Sequence, residues 1–233
     1  ISGIGFAGYV LIKITGSRKG IGLTGLLGGL VSSTATTLTF AKRSLEDKSL
    51  ALSCSLAVLL ACSTMFPRIL VEVAVINRSL LPELSMTLGV MAAAGFVACF
   101  ILWKITGREK TADVPLANPF SIMPAVKFGL LYGVIVLITR FVSITSGDNG
   151  VYIVSVLSGM TDVDAITLSM SNLSKNDPAK MHQAVVAITL AAFSNTILKF
   201  IMAFAIGSRG FRTGITAGFG FILFSGIAAL LFL

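Results

Sequence analysis

Asp162 and Asp164 stand two residues apart inside an apolar stretch of this 233-residue chain. A carboxylate within hydrocarbon is costly unless it is paired, protonated or wetted, so both are candidate functional groups. With the hydroxyl of Thr161 and backbone carbonyls nearby, they offer an all-oxygen environment, which suits a hard cation such as Mg²⁺. Ser32, Ser33, Thr34, Thr36 and Thr37 form a hydroxyl run in an earlier apolar stretch and would line a facing half. Asn195 could add an amide oxygen or hydrogen-bond between helices. Arg68, Glu72 and Lys199 are further embedded charges and would set the local field. Arg68 and Glu72 are one helical turn apart and can pair within a helix, whereas Lys199 needs a partner from elsewhere, with Asp162 and Asp164 the nearest acids in sequence. A plainer reading also stands, in which Asp162 caps a helix and Asp164 pairs statically with Lys199.

Other patterns carry less. Gly3-x-Gly5-x-x-Gly8 has dinucleotide-loop spacing but follows no strand. His182 is the only histidine, which excludes a His-based zinc site or a serine-histidine-acid triad, and an enzyme is not expected. Cys54, Cys62 and Cys99 lie in apolar stretches without a C-x-x-C pair and read as buried filler.

The elements that carry these residues are set by composition. The chain is 55% hydrophobic and 12% charged, with a mean hydropathy of +0.93. These values exclude a soluble globular domain and a disordered chain, and imply an all-α polytopic membrane protein. Apolar runs bounded by Gly, Pro and charge give eight helical segments, roughly Ile1 to Ile14, Ile21 to Ala41, Leu50 to Ile76, Leu80 to Ile105, Ile122 to Ile144, Val151 to Leu173, Met181 to Ile206 and Phe211 to Leu233. The formal net charge of +8 is ascribed to cytoplasmic loops, not to nucleic-acid binding. No initiator Met opens the first segment, so a longer protein is expected.

A polar stretch at 107–120 separates residues 1–106 from 121–233, and the halves read as a four-plus-four repeat. A shift of 130 lays Gly29, Ala35, Thr37, Leu38 and Ser44 on Gly159, Ala165, Thr167, Leu168 and Ser174. A shift of 131 lays Leu59, Ala61, Ser63 and Arg78 on Leu190, Ala192, Ser194 and Arg209, and Arg68 on Lys199. Chance likeness between apolar helices is the rival explanation. Gly28-Gly29 before the hydroxyl run, and Ser158-Gly159 before Asp162, predict helix breaks in segments two and six, since Gly permits the turn and Ser, Thr or Asp caps the onward half-helix. Freed backbone groups at such depth need a protein or water surround, so each break suggests a site. Against this, the glycines of Gly25-x-x-x-Gly29 and Gly214-x-x-x-Gly218 can serve helix packing alone. With eight crossings, Lys and Arg divide seven to nine between the two sides; with segments two and six re-entrant they divide twelve to four. The second split matches the cytoplasmic enrichment of basic loops and would make the repeats inverted.

The run from Leu23 to Thr37, Asn118-Pro119-Phe120 and Ser158-Gly159-Met160-Thr161-Asp162-Val163-Asp164-Ala165 resemble the C-terminal membrane domain of unknown function of MgtC/SapB-family proteins. The resemblance covers nearly the whole chain. It implies an MgtC-like membrane domain preceding this one, and a role in transport of magnesium or another metal, although related MgtC proteins are also regarded as regulators. Its Gly-hydrophobic-x-Asp-Val-Asp-Ala pattern carries Asp162 and Asp164 over directly. The resulting expectation is a prokaryotic inner-membrane transporter or channel for a small ion, first of all a divalent cation, with the lipid bilayer and the ion as partners and a homo-oligomer allowed. No resident cofactor is expected, since the metal would be cargo. The alternatives are a non-transporting regulatory or assembly subunit and, more remotely, an intramembrane lipid enzyme.

Overall fold

A computed structural model of the chain describes residues 21–106, 122–145 and 147–231. Segment one and the polar stretch lie outside the described residues. Every described element is helical: α1 (Ile21–Glu46), α2 (Ala51–Ser63), α3 (Met65–Ile76), α4 (Leu81–Thr106), α5 (Ile122–Thr145), α6 (Gly147–Thr161), α7 (Val163–Asn176), α8 (Met181–Ile206) and α9 (Arg209–Leu230). Short 3-10 turns at Lys48–Leu50, Arg78–Leu80 and Pro178–Lys180 lead into α2, α4 and α8. Five stretches among the described residues are long and apolar enough to cross a membrane: Ile21–Glu46, Lys48–Ile76, Arg78–Thr106, Pro178–Ile206 and Arg209–Leu230. The protein is thus all-α and membrane-embedded.

Local chemistry explains the element ends. Asp47, Asn77 and Asp177 each leave the helical region and accept a backbone N–H two residues on, from Ser49, Ser79 and Ala179, which opens each 3-10 turn. The interruption between α2 and α3 precedes Pro67, whose ring lacks an N–H and would crowd the Ser63 carbonyl in a continuous helix. Segment six is two helices, with Asp162 extended between them at φ −158°, ψ 119°. In α1, Ser32 alone is non-helical, at φ −163°, ψ 103°. Both expected breaks are therefore present.

The described residues form two compact units. One holds the chain up to Pro67, with Val90 onward in α4 and Lys199 onward in α8 and α9; the other holds Arg68–Gly89 and Phe120–Leu198. In the first, α2 packs against α1 and α9. A Cβ on Gly25 or Gly29 would strike the backbone of Ala57 or Ala61, and one on Gly214 or Gly218 would strike Ser55 or Leu59. Both small-residue pairs thus serve close packing. Cys54, Cys62 and Cys99 are buried and free, as filler would be. In the second unit α5 packs on α6 and α7, and Gly159 abuts the backbone of Ala191 on α8. Trp103 is exposed, next to Phe100, over whose ring Lys104 Nζ sits at 4.8 Å. That pairing of aromatic rings and a lysine suits an interface level.

Candidate acidic break and its hydroxyl counterpart

In the first unit, the Ser32 carbonyl accepts from Thr36 Oγ1 at 2.8 Å and the Ser33 carbonyl from Thr37 Oγ1 at 2.8 Å. Ser32 Oγ lies 3.3 Å from the Ala35 amide, as a cap for the onward half-helix does. A Cβ on Gly28 would lie 2.7 Å from Thr36 Oγ1, so that glycine leaves room for the hydroxyl. Ser33, Thr36 and Thr37 are buried, Ser32 is half-buried and Thr34 is exposed. The buried ammonium of Lys199 donates to Ser33 Oγ at 2.7 Å and lies 3.3 Å from Met65 Sδ. The hydroxyl run therefore already faces a cationic group.

The second unit gathers most of the embedded charge. Asp162 Oδ1 accepts from the Asp164 amide at 2.8 Å, so Asp162 does cap α7. Asp164, 3% exposed, sits in the first turn of α7, where the helix dipole favours negative charge. Arg68 Nη2 donates to Asp164 Oδ2, and Arg68 Nε lies 3.9 Å from Glu72 Oε1. The intrahelical Arg68 and Glu72 pair expected from spacing is thus present, though loose, while the partner given to Asp164 is Arg68 from α3. Asp162, Asp164 and Glu72 all act electrostatically on Arg68. Asp164 and Glu72 thus flank one guanidinium, and Asp162 is within its electrostatic reach.

The break also frees a carbonyl. In a continuous helix Gly159 would accept from Val163, but the extended Asp162 intervenes, and the Asn195 side-chain amide supplies the donor at 2.6 Å. Asn195 is therefore an interhelical hydrogen-bond former through its nitrogen. Its oxygen remains without a hydrogen-bond donor, as do Asp164 Oδ1 and both Glu72 oxygens, although Asn195 and Glu72 are only 4% and 5% exposed. Buried acceptors of this kind call for a donor or a cation. Thr161 is exposed, and its hydroxyl lies 3.5 Å from the Leu157 carbonyl. His182 is exposed in the first turn of α8, as a helix-start residue would be. Among the described residues no three His, Cys, Asp or Glu side chains are arranged to hold a metal ion.

Sequence reading missed the bond from Arg68 to Asp164. The available signal was the 131-residue correspondence of Arg68 with Lys199, which marks both as basic groups placed for a helix break rather than for their own helices.

An uncharacterized protein of Aquifex aeolicus (strain VF5) is 33% identical over 196 residues, covering 82% of this chain and 85% of that protein. No solved structure matches the chain. Residues 1–207 match a family described as a domain of unknown function, DUF4010. With a family match over residues 1–207, the chain belongs to the DUF4010 family.

Proposed function

We propose that the protein is a multi-pass transporter or channel of a prokaryotic inner membrane, carrying a small cation, foremost a divalent metal such as magnesium, through the acidic break at Asp162. The observation that carries this reading is the excess of acid over base around Arg68 in the second unit, with Asp164 and Glu72 buried and Asp162 half-buried. Asp162, Asp164 and Glu72 outnumber Arg68, and the buried side chains of Asp164, Glu72 and Asn195 keep acceptor oxygens without donors. One divalent cation would neutralise that excess. Asp162 and Asp164 are the ligands in this reading, with Thr161 and Asn195 beside them in the same unit and Arg68 and Glu72 setting the charge. The hydroxyl run from Ser32 to Thr37 shares the form of the break but has Lys199 on Ser33, which makes it the weaker place for a cation. The resemblance to MgtC/SapB-family proteins, if it holds, implies metal transport or regulation, and an MgtC-like domain preceding this one remains part of the proposal.

The eight-segment, four-plus-four arrangement belongs to the same proposal, and reciprocal contacts support it. Ser32 and Asp162, the two break residues, are 130 positions apart, as are the turn caps Asp47 and Asp177. Arg68 binds Asp164 while Lys199 binds Ser33; Asn77 binds Ser174 while the Ser208 amide binds Ser44. A shift of 131 carries Arg68 to Lys199 and, taken in reverse, Asp164 to Ser33; the same shift carries Asn77 to Ser208, and one of 130 in reverse carries Ser174 to Ser44. Accidental likeness between apolar helices has no reason to produce exchanged contacts of this kind.

Gly214 and Gly218 are packed against Ser55 and Leu59 of α2, so that part of α9 is already covered within the chain. Reconstituted liposomes loaded with a Mg²⁺ indicator test the proposal. Uptake is expected in wild type and is expected to be abolished in Asp162→Asn plus Asp164→Asn, with chloride flux negligible in both. Equal uptake in the double variant would overturn it.

A further inference from the structure

Arg68 stands between two acids in an unequal way. Its Nη2 is bound to Asp164, while its Nε makes no hydrogen bond and forms only a loose ion pair with Glu72 Oε1, 3.9 Å away. Both Glu72 oxygens also lack donors, in a side chain 5% exposed. A buried carboxylate without a hydrogen bond is a standing cost, and so is a buried guanidinium nitrogen without an acceptor. Both costs are relieved by one movement, a shift of the guanidinium from Asp164 toward Glu72 along its own helix. The same movement exposes both oxygens of Asp164 beside the capping carboxylate of Asp162. What holds Arg68 on Asp164 is that leaving would place two acids side by side without a cation. A metal ion arriving there removes that obstacle.

From this geometry we propose that Arg68 is a built-in competitor for the cation site, occupying Asp164 when no metal is bound and moving to Glu72 when one binds. The inference rests on the acidic break being a cation site and adds how the site is kept neutral while empty. Glu72 is then the resting place of the guanidinium in the loaded state, not a ligand. The exchange keeps charge in balance: one guanidinium serves one carboxylate in each state, and the metal takes its place on the other. It also selects for charge, because a monovalent cation replaces the guanidinium without gain whereas a divalent cation adds a second charge to Asp162 and Asp164. Selectivity for divalent over monovalent cations follows without a rigid cage of three or more acidic ligands.

Mn²⁺ binding to the full chain in lipid nanodiscs, followed by the loss of its free-ion paramagnetic resonance signal, tests this. Arg68→Gln is expected to tighten Mn²⁺ binding about tenfold, the factor gained when a site blocked nine-tenths of the time is unblocked. Glu72→Gln is expected to weaken it by a similar factor in wild type and to have no effect in the Arg68→Gln background, because the resting place matters only while there is a guanidinium to receive. Additive effects of the two substitutions would overturn the competitor role. If Arg68→Gln does not fold, Arg68→Lys serves, since a single ammonium cannot hold one acid while turning toward the other; weakening by Glu72→Gln that persists unchanged in Arg68→Lys would be equally contrary. Failure of the underlying cation site reads differently, as Mn²⁺ binding that is absent throughout or indifferent to Asp162→Asn plus Asp164→Asn.

Discussion

Asn195 illustrates how a single side chain can make a membrane helix break tolerable. The extended backbone at Asp162 strips the Gly159 carbonyl of its helical donor, and a freed backbone group at membrane depth needs a replacement from protein or water. The amide of Asn195 provides it at 2.6 Å. Removing it strands a buried carbonyl, so Asn195→Ala is expected to destabilise the protein by about 1–3 kcal/mol, the usual cost of an unsatisfied buried group. The check is a lowered thermal midpoint in detergent, with Asn195→Gln falling between the two. Ser194, one residue earlier, donates to the Val156 carbonyl at 2.7 Å, so two neighbouring side chains of α8 anchor α6. This anchoring was legible in the sequence only as one of two readings of Asn195. Residue type announces a polar group in an apolar helix but not which of its atoms is satisfied. The pairing of Arg68 with Asp164 was hidden for a related reason: the partners are far apart in sequence, and the nearer acid, Glu72, was a sufficient partner by spacing alone.

At the scale of elements, glycine decides which helices can touch. A Cβ on Gly29 would meet the Ala61 backbone and lie 2.7 Å from Thr64 Oγ1, whereas Gly220 on α9 has nothing within 4 Å. Gly29→Val is therefore expected to cost about 1–3 kcal/mol through forced separation of α1 from α2, and Gly220→Ala is expected to leave stability unchanged or slightly raised. Parallel thermal melts of the two variants check the contrast. Both breaks could be read ahead of the structure because Gly followed by Ser, Thr or Asp has a local consequence that tertiary packing has little reason to override. The division of segment six into α6 and α7 was legible for that reason. The stretch from Leu50 to Ile76 read as one helical segment, whereas the structure divides it into α2 and α3 just before Pro67, since a proline signals lost helical bonding without saying how far the chain then turns. The five membrane-length stretches follow from composition alone, and composition does not reveal whether a broken helix crosses or returns.

At the scale of the molecule, the reciprocal contacts give the proposed repeat a consequence for topology. If segments two and six enter and leave on one face, each half has an odd number of crossings and the halves are inverted. A cysteine at Lys48 and one at Arg18, each introduced singly, would then be labelled from the same side of sealed vesicles by a membrane-impermeant maleimide; labelling from opposite sides would restore eight full crossings. The native cysteines are buried, which keeps the background low. The central claim, that the acids at the α6 and α7 break bind a cation in place of a guanidinium, is tested most directly by a structure of the protein in Mn²⁺ recorded at the metal's anomalous edge. The account predicts a peak between the Asp162 and Asp164 carboxylates, with Arg68 turned onto Glu72. Arg68 still bound to Asp164 at saturating Mn²⁺, with no peak at the break, would contradict it.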